Sequence, residues 1–415
     1  LFSAKKFQLL LNVLVKTWVL LLVFKERVNK SKELFVAKNK KYLFQHMETI
    51  ELQKKKQSKI KSYLIMLLAL LLFIFAIDLL TVAMSQLNND VAENILSATR
   101  NPFVSLFIGL LMTALIQSSS TVTASIVAVV AAGNLTLEQA VPMVMGANIG
   151  TTLTSTLVSL SYIMNRKQFK RALSAGILHD IFNIFTVLIL LPLEISFGFL
   201  SKMALSIAHI FAPDENYMGP IVYNKVFTRP LTEWITETIN IPFLTMLLAI
   251  FMVFGAIKLL STSVYRAFVV DSFKEINNFI FKNPYLAFIY GTFFTAAVQS
   301  STVTTSLVVP LVANKKVSLP KSFPFIMGAN IGTTITAAIA AIYKTEAAIA
   351  LALVHFLFNV FGAMIFLPFP VIRRIPVGLA SWMGKKSVES RFIGFAYILL
   401  TFFIIPFLLI YFSKD

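Results

Sequence analysis

Two stretches of this chain are copies of one another. Residues 101–154 and 283–336 align without a gap at a constant offset of 182, and 23 of the 54 paired positions are identical. Repetition on this scale means that one structural unit is built twice. The identities gather in two strings. Gln117-Ser118-Ser119 recurs as Gln299-Ser300-Ser301, and Met145-Gly146-Ala147-Asn148-Ile149-Gly150-Thr151-Thr152 recurs from Met327 to Thr334. Asn101-Pro102 matches Asn283-Pro284, and Gly109 matches Gly291. After a six-residue change of spacing, His179 and Asn183 recur as His355 and Asn359.

The unit is written for lipid. The chain is 57% hydrophobic and only 13% charged, where a soluble domain carries about 25% charged residues. Apolar runs, Leu64–Met84 and Phe243–Leu260, precede the two copies. Each is followed by a more polar stretch, Asn88–Arg100 and Asp271–Lys282, which reads as an interfacial helix, with Glu93 matching Glu275. The arms on either side of Q-S-S hold about 15 and 13 residues. At 1.5 Å per residue each reaches roughly 20 Å, short of the ~30 Å hydrocarbon thickness. The Q-S-S stretch therefore reads as a re-entrant helical hairpin, and the G-A-N-I-G-T-T stretch as one broken transmembrane helix. That leaves three crossings per unit, so the second copy enters from the opposite side.

The predicted fold is thus an all-α membrane protein of two inverted-topology repeats. Residues 62–191 form the first repeat and 241–368 the second, joined by an external connection, 192–240. Residues 1–61 form a basic segment with one apolar helix, Phe7–Phe24, spanning or interfacial. Residues 369–415 form a loop and a final transmembrane helix. Loop charges agree: Arg166-Lys167 with Lys170-Arg171, Lys315-Lys316, Arg373-Arg374 and Lys385-Lys386 all fall inside, and Tyr343-Lys344-Thr345-Glu346 outside carries no net charge.

The net charge of +18 is therefore a feature of loops facing lipid headgroups rather than a nucleic-acid surface. No cysteine is present, which excludes disulfides, thiolate metal sites and cysteine nucleophiles. No transition-metal cluster or nucleophile–base pairing is visible, so the reading is not an enzyme, and no organic cofactor is implied.

Backbone breaks inside a membrane survive only where protein or a cavity satisfies them. Here both breaks are dense in hydroxyls and carboxamides. Helices starting at Ser118–Thr121 and Gly150–Thr152, and at their counterparts, would aim four positive ends at one place, an anion site made from backbone donors. The carbonyls exposed there, with the Asn148 and Asn330 side-chain oxygens, suit sodium. Packing by small residues is the plainer alternative for either string alone; the pairing at one offset argues against it. His179 and His355 read as inter-helical hydrogen-bond partners. Asp78 reads as a structural hydrogen-bond partner or an ion-site acid, and Asp180, nearer the cytoplasmic end, as a functional acid or a surface residue.

At these residues the chain resembles the type II sodium/phosphate cotransporters and their bacterial relatives. The resemblance runs from about Leu64 to Leu367 and rests on N-P-F…Q-S-S-S-T, P-M-V-M-G-A-N-I-G-T-T, F-K-R-A…H-D-I-F-N with L-P-L-E, and H-F-L-F-N. It implies sodium-coupled phosphate uptake by alternating access, with the ions bound between the repeats. Gln117, Ser118, Ser119 and Ser120 with Gln299, Ser300, Ser301 and Thr302 would then hold phosphate. Thr151, Thr152, Thr333 and Thr334, with Asn148, Asn330 and Asp180, would hold sodium; Asp180 matches an acidic position that adds a sodium site in electrogenic members. Copy two departs at Thr302-Val303, where a hydroxyl is kept and then lost. The large outer loop of the animal proteins is absent, which points to a bacterial inner membrane. Phosphate, sodium and membrane lipid are the expected partners, and a homodimer is left open. A sodium-coupled carrier of another small anion, and an uncoupled anion channel, are the rival functions.

Overall fold

The computed structural model describes residues 62–211, 228–264, 280–342, 344–389 and 392–412. Among these residues there is no strand; helices joined by short turns account for the fold. The stretch Phe7–Phe24, the basic run Lys25–Lys61 and most of Asp271–Lys282 lie outside the described residues.

The first copy contains α1 (Ser62–Ser85), α2 (Asn89–Ala98), α3 (Pro102–Ile116), α4 (Ser119–Ala131), α5 (Leu137–Gly150), α6 (Leu153–Leu160) and α7 (Arg166–Phe197). Two further helices, α8 (Phe199–Phe211) and α9 (Arg229–Ile239), follow. The second copy contains α10 (Pro242–Val264), α11 (Pro284–Val298), α12 (Ser301–Ala313), α13 (Leu319–Ala341) and α14 (Glu346–Phe366). The chain ends in α15 (Pro370–Glu389) and α16 (Phe392–Phe412). Among the described residues six helices are long and apolar enough to cross a membrane: α1, α7, α10, α13, α14 and α16.

Equivalent residues start and stop equivalent helices. Asn101 caps α3 by accepting from Phe103 N at 2.9 Å, and Asn283 caps α11 by accepting from Tyr285 N at 2.8 Å. Pro102 and Pro284 follow, at the first helical position, where a missing N–H costs nothing. Both helices run 15 residues and end at a left-handed glutamine, Gln117 (φ 57°) and Gln299 (φ 54°). Ser118 and Ser300 then cap helices of 13 residues. The arm lengths match those read from the sequence. α2 meets α3 at a bend of 101°.

The glycines have a packing role. A Cβ on Gly146 would lie 1.8 Å from Leu106 O, and one on Gly109 1.9 Å from Met143 O, so α3 and α5 touch backbone to backbone. Gly328 and Gly291 put α11 and α13 in the same contact, with Cβ positions 2.0 Å from Phe288 O and 2.2 Å from Phe325 O. Small residues permit this approach where lipid supplies no hydrophobic drive between helices.

Three expectations are corrected. Only the first copy is interrupted at G-A-N-I-G-T-T, at Thr151-Thr152; α13 runs unbroken for 23 residues through the same letters. The interruption is a tightened turn in which Thr152 N bonds Ile149 O at 3.1 Å, so it does not free a helix end. Residues 370–389, expected as loop, form α15. Finally, α7 carries past residue 191, where the connection was expected to begin, to Phe197, and Glu194 is buried and accepts from Leu200 N (2.6 Å) and Ser201 N (3.3 Å) at the start of α8. A carboxylate there satisfies orphan N–H groups and the helix dipole together.

In α16 a π turn at Leu400–Ile404 precedes Pro406, whose missing N–H disturbs the ladder.

Candidate functional site

The two Q-S-S turns are built alike. The left-handed glutamine closes the preceding helix, Gln117 N on Thr113 O at 2.7 Å and Gln299 N on Thr295 O at 2.6 Å. A non-glycine residue in this region costs about 1 kcal/mol or more, and here it is held twice at equivalent places. The next serine is extended and its Oγ accepts from the third residue on, Ser118 from Thr121 N and Ser300 from Val303 N, each at 3.3 Å. The first N–H groups of α4 and α12, at Ser119, Ser120, Ser301 and Thr302, have no intrahelical acceptor.

The turns meet: Ser120 Oγ donates to the main-chain oxygen of Gln299 at 3.2 Å. Ser155 of α6 and Thr305 of α12 also join, 2.9 Å between hydroxyls. The turns differ in one respect. Gln117 is exposed, whereas Gln299 is buried and its Oε1 has no hydrogen-bond partner. Two identical pairs of threonines at the offset of 182, Thr113 with Thr295 and Thr154 with Thr336, also have buried, unpartnered hydroxyl oxygens. The sequence reading passed over them, although their identity in the alignment was the available signal.

The four threonines expected at the breaks are buried, and each bonds back into its own helix: Thr151 to Ala147 O, Thr152 to Ile149 O, Thr333 to Ala329 O and Thr334 to Ile331 O. Each hydroxyl oxygen keeps acceptor capacity. Because α13 is continuous and the turn at Thr151-Thr152 is internally bonded, the expected four helix starts reduce to two, those of α4 and α12.

Asn148 and Asn330 sit in a network that crosses between the copies. His179 Nε2 lies 2.6 Å from Asn330 Oδ1, and His355 Nε2 lies 3.4 Å from Asn148 Oδ1. Asn330 Nδ2 donates to Asn183 Oδ1 at 2.6 Å, and Asn359 Nδ2 approaches Asn148 Oδ1 at 3.4 Å. The first copy's His and Asn hold the second copy's asparagine, and the reverse holds too. The histidines are thus inter-helical partners, as expected.

Asp180 is fully buried. Its Oδ2 accepts from Tyr397 Oη at 2.8 Å and Thr156 Oγ1 at 3.3 Å, and Thr152 also interacts with it. Its Oδ1 has no partner. Tyr397 lies on α16, outside the repeat, and nothing in its sequence context marked it. Asp78, on α1, pairs with Lys344 Nζ at 3.1 Å and accepts from Thr228 (2.9 Å) and Thr232 (3.4 Å). Burial pushes the Lys344 ammonium below the usual lysine range, and the Asp78 carboxylate opposes that shift.

The polar groups gathered around Q-S-S are hydroxyls, amides and carbonyls, whose N–H and O–H donors suit an oxyanion and whose oxygens suit an alkali cation. The family model described as Na+/Pi-cotransporter matches residues 72–210 and 250–405, and so takes in both turns and the crossing network. The chain belongs to the Na+/Pi-cotransporter family. Its family and its six apolar helices make it a multi-pass membrane protein. It is 29% identical over 424 residues to sodium-dependent phosphate transport protein 2A of Ovis aries, covering 82% of this chain and 66% of that one. It is 28% identical over 444 residues to sodium-dependent phosphate transport protein 2B of Homo sapiens, covering 83% and 64%. The chain thus spans just under two thirds of the length of these relatives. No solved structure matches it.

Proposed function

We propose that this family member carries inorganic phosphate into the cell together with sodium by alternating access. The observation that carries the reading is the meeting of the two Q-S-S turns through Ser120 and Gln299, in a family whose relatives are sodium-dependent phosphate transport proteins. Phosphate binds the helix starts at Ser118–Ser120 and Ser300–Thr302, with Gln117 and Gln299 beside it. Backbone N–H groups and hydroxyls donate there without bringing a formal positive charge. A dianion at such a site needs cations to cross lipid, and that is the physical source of coupling. Two sodium ions make the load neutral. A third makes the step respond to voltage, about 2.3 kcal/mol per charge per 100 mV.

For sodium we assign Asp180, Thr151, Thr152, Thr333 and Thr334, with Asn148 and Asn330 shaping the crossing between copies. The unpartnered buried oxygen Asp180 Oδ1 favours this assignment, since a buried acceptor without a donor suits a cation.

We read the repeats as inverted, with the Q-S-S arms as re-entrant hairpins. The reciprocal exchange of His–Asn partners is the pattern a two-fold axis produces. The base of the first hairpin also touches the end of α1, Asn134 Nδ2 on Met84 O, and the base of the second touches the start of α7, Gln168 Nε2 on Asn314 Oδ1 at 3.0 Å. α5 and α6 run between those two levels. The short connection, 192–240, favours a bacterial inner membrane.

Uptake of labelled phosphate into proteoliposomes tests the function. Accumulation that requires an inward sodium gradient, and is not suppressed by excess sulfate or carboxylate, supports it. Equal flux without the gradient would mean a channel, and stronger competition by another anion would mean another substrate.

A further inference from the structure

α15 lays one row of small residues, Pro376, Ala380 and Gly384, into the protein and turns another row outward. A Cβ on Gly384 would lie 2.1 Å from Ser174 Oγ and 2.5 Å from Lys170 O, which seats α15 on the start of α7. The outward row is Val371, Ile375, Leu379 and Trp382, exposed by 71%, 55%, 42% and 55%. The spacing places them on one helical face.

Two basic cavities open beside this row, toward the start of α13. One, about 610 Å³, is lined by Lys170 and Arg171 of α7, Lys315 of the α12–α13 turn, and Lys385 beside Trp382 on α15. The other, about 500 Å³, is lined by Lys282, Lys321, Arg373 and Arg374. No carboxylate is among the described residues lining either cavity. Arg171 Nε is engaged with Ala313 O at 2.8 Å, whereas Arg373 Nε is buried without a partner. Neither cavity includes a residue of the Q-S-S turns, so the charge here is separate from the transport site.

We propose that the α15 face is a binding site for anionic phospholipid, with the phosphate headgroup held in the cavity of Lys170, Arg171, Lys315 and Lys385 beside Trp382 and an acyl chain lying along Val371, Ile375, Leu379 and Trp382. The cations ask for a phosphate ester. The apolar row beside the cavities asks for hydrocarbon attached to it, which a soluble polyphosphate does not have. The loops that supply the cations are those the charge pattern places on the cytoplasmic side, where the leaflet is anionic. One cavity borders Ser318 and Leu319 and the other Pro320 and Lys321, all at the start of α13. That is the helix carrying Asn330, Thr333 and Thr334.

The test uses the full chain with Trp18→Phe and Trp234→Phe, so that Trp382 is the sole tryptophan, in phosphatidylcholine nanodiscs. Brominated phosphatidylglycerol and brominated phosphatidylcholine are added in parallel and Trp382 quenching is read. Each headgroup-facing cation strengthens binding roughly fivefold. The anionic lipid should therefore half-quench at a mole fraction lower by at least about fivefold, the effect of a single cation, and Lys170→Gln/Lys315→Gln/Lys385→Gln should abolish the preference. Equal quenching by the two lipids in the parent protein would overturn the site, whether or not the triple variant folds. Retained preference in a folded triple variant would overturn it also. Release of brominated phosphatidylglycerol by micromolar inositol hexakisphosphate would assign the cavities to a soluble polyphosphate instead.

Discussion

His179, in the first copy of the repeat, holds the Asn330 amide of the second at 2.6 Å, while its counterpart His355 stands 3.4 Å from Asn148. The two contacts are equivalent by sequence and unequal by geometry, since hydrogen bonds weaken over that range. The difference parallels the one between exposed Gln117 and buried Gln299. One fold built from two copies thus holds equivalent residues in unequal surroundings.

Removing the shorter contact should cost more. His179→Ala should lower stability by about 1–3 kcal/mol, because the Asn330 amide is left buried with an acceptor unpaired. His355→Ala should cost less. A double-mutant cycle of His179→Ala with Asn330→Ala should return a coupling of roughly 0.6–1.7 kcal/mol, the range for hydrogen bonds between membrane helices. Unfolding in mixed detergent micelles measures all of these, and equal losses for the two histidines would contradict the asymmetry.

Accessibility reports the same asymmetry directly. The chain has no cysteine, so a single introduced thiol is read without background. Gln117→Cys should react rapidly with a water-soluble maleimide and Gln299→Cys slowly. Sodium and phosphate should change the ratio of the two rates if the site alternates. A ratio fixed under every ionic condition would speak for a static pore.

The glycine contacts predict a sharp contrast. Gly146→Ala and Gly328→Ala place a methyl about where a carbonyl oxygen already sits, and overpacking of this kind costs at least 1–3 kcal/mol. Both should lose the monodisperse folded peak in size-exclusion chromatography. Gly255→Ala meets nothing within 4 Å and should retain it, with a small gain in helix stability of about 0.5–1 kcal/mol.

The Asp78–Lys344 pair should behave as a buried ion pair, with side-chain exposures of 2% and 9%. Lys344→Met alone leaves Asp78 uncompensated and should cost about 3–5 kcal/mol. Asp78→Asn combined with Lys344→Met should recover much of that loss. Thermal unfolding of the single and double variants decides it; a double variant as unstable as the sum of the singles would remove the coupling.

Asp180 bears on electrical coupling. Asp180→Asn should lower the charge moved per phosphate while uptake persists, and Tyr397→Phe, which removes the 2.8 Å hydrogen bond to Oδ2, should shift sodium dependence with the acid retained. Current and tracer uptake recorded on the same proteoliposomes give the ratio. An unchanged ratio in Asp180→Asn would take this residue out of the sodium set.

Short-range chemistry was legible in the residues alone. Asn-Pro announces a helix start, Gln-Ser-Ser a stop and a restart, and the arm lengths follow because caps and left-handed turns are made within four residues. The repeat was equally plain, and with it the pairing of His179 and Asn183 with His355 and Asn359. Contacts across the chain were decided only by the tertiary structure. The same letters G-A-N-I-G-T-T are interrupted in one copy and continuous in the other, so neighbours packed on the helix, and not its own propensities, decide where it breaks. Tyr397 reaches Asp180 across 217 residues and Lys344 reaches Asp78 across 266. No periodicity encodes such meetings, because they depend on how whole helices are laid beside one another.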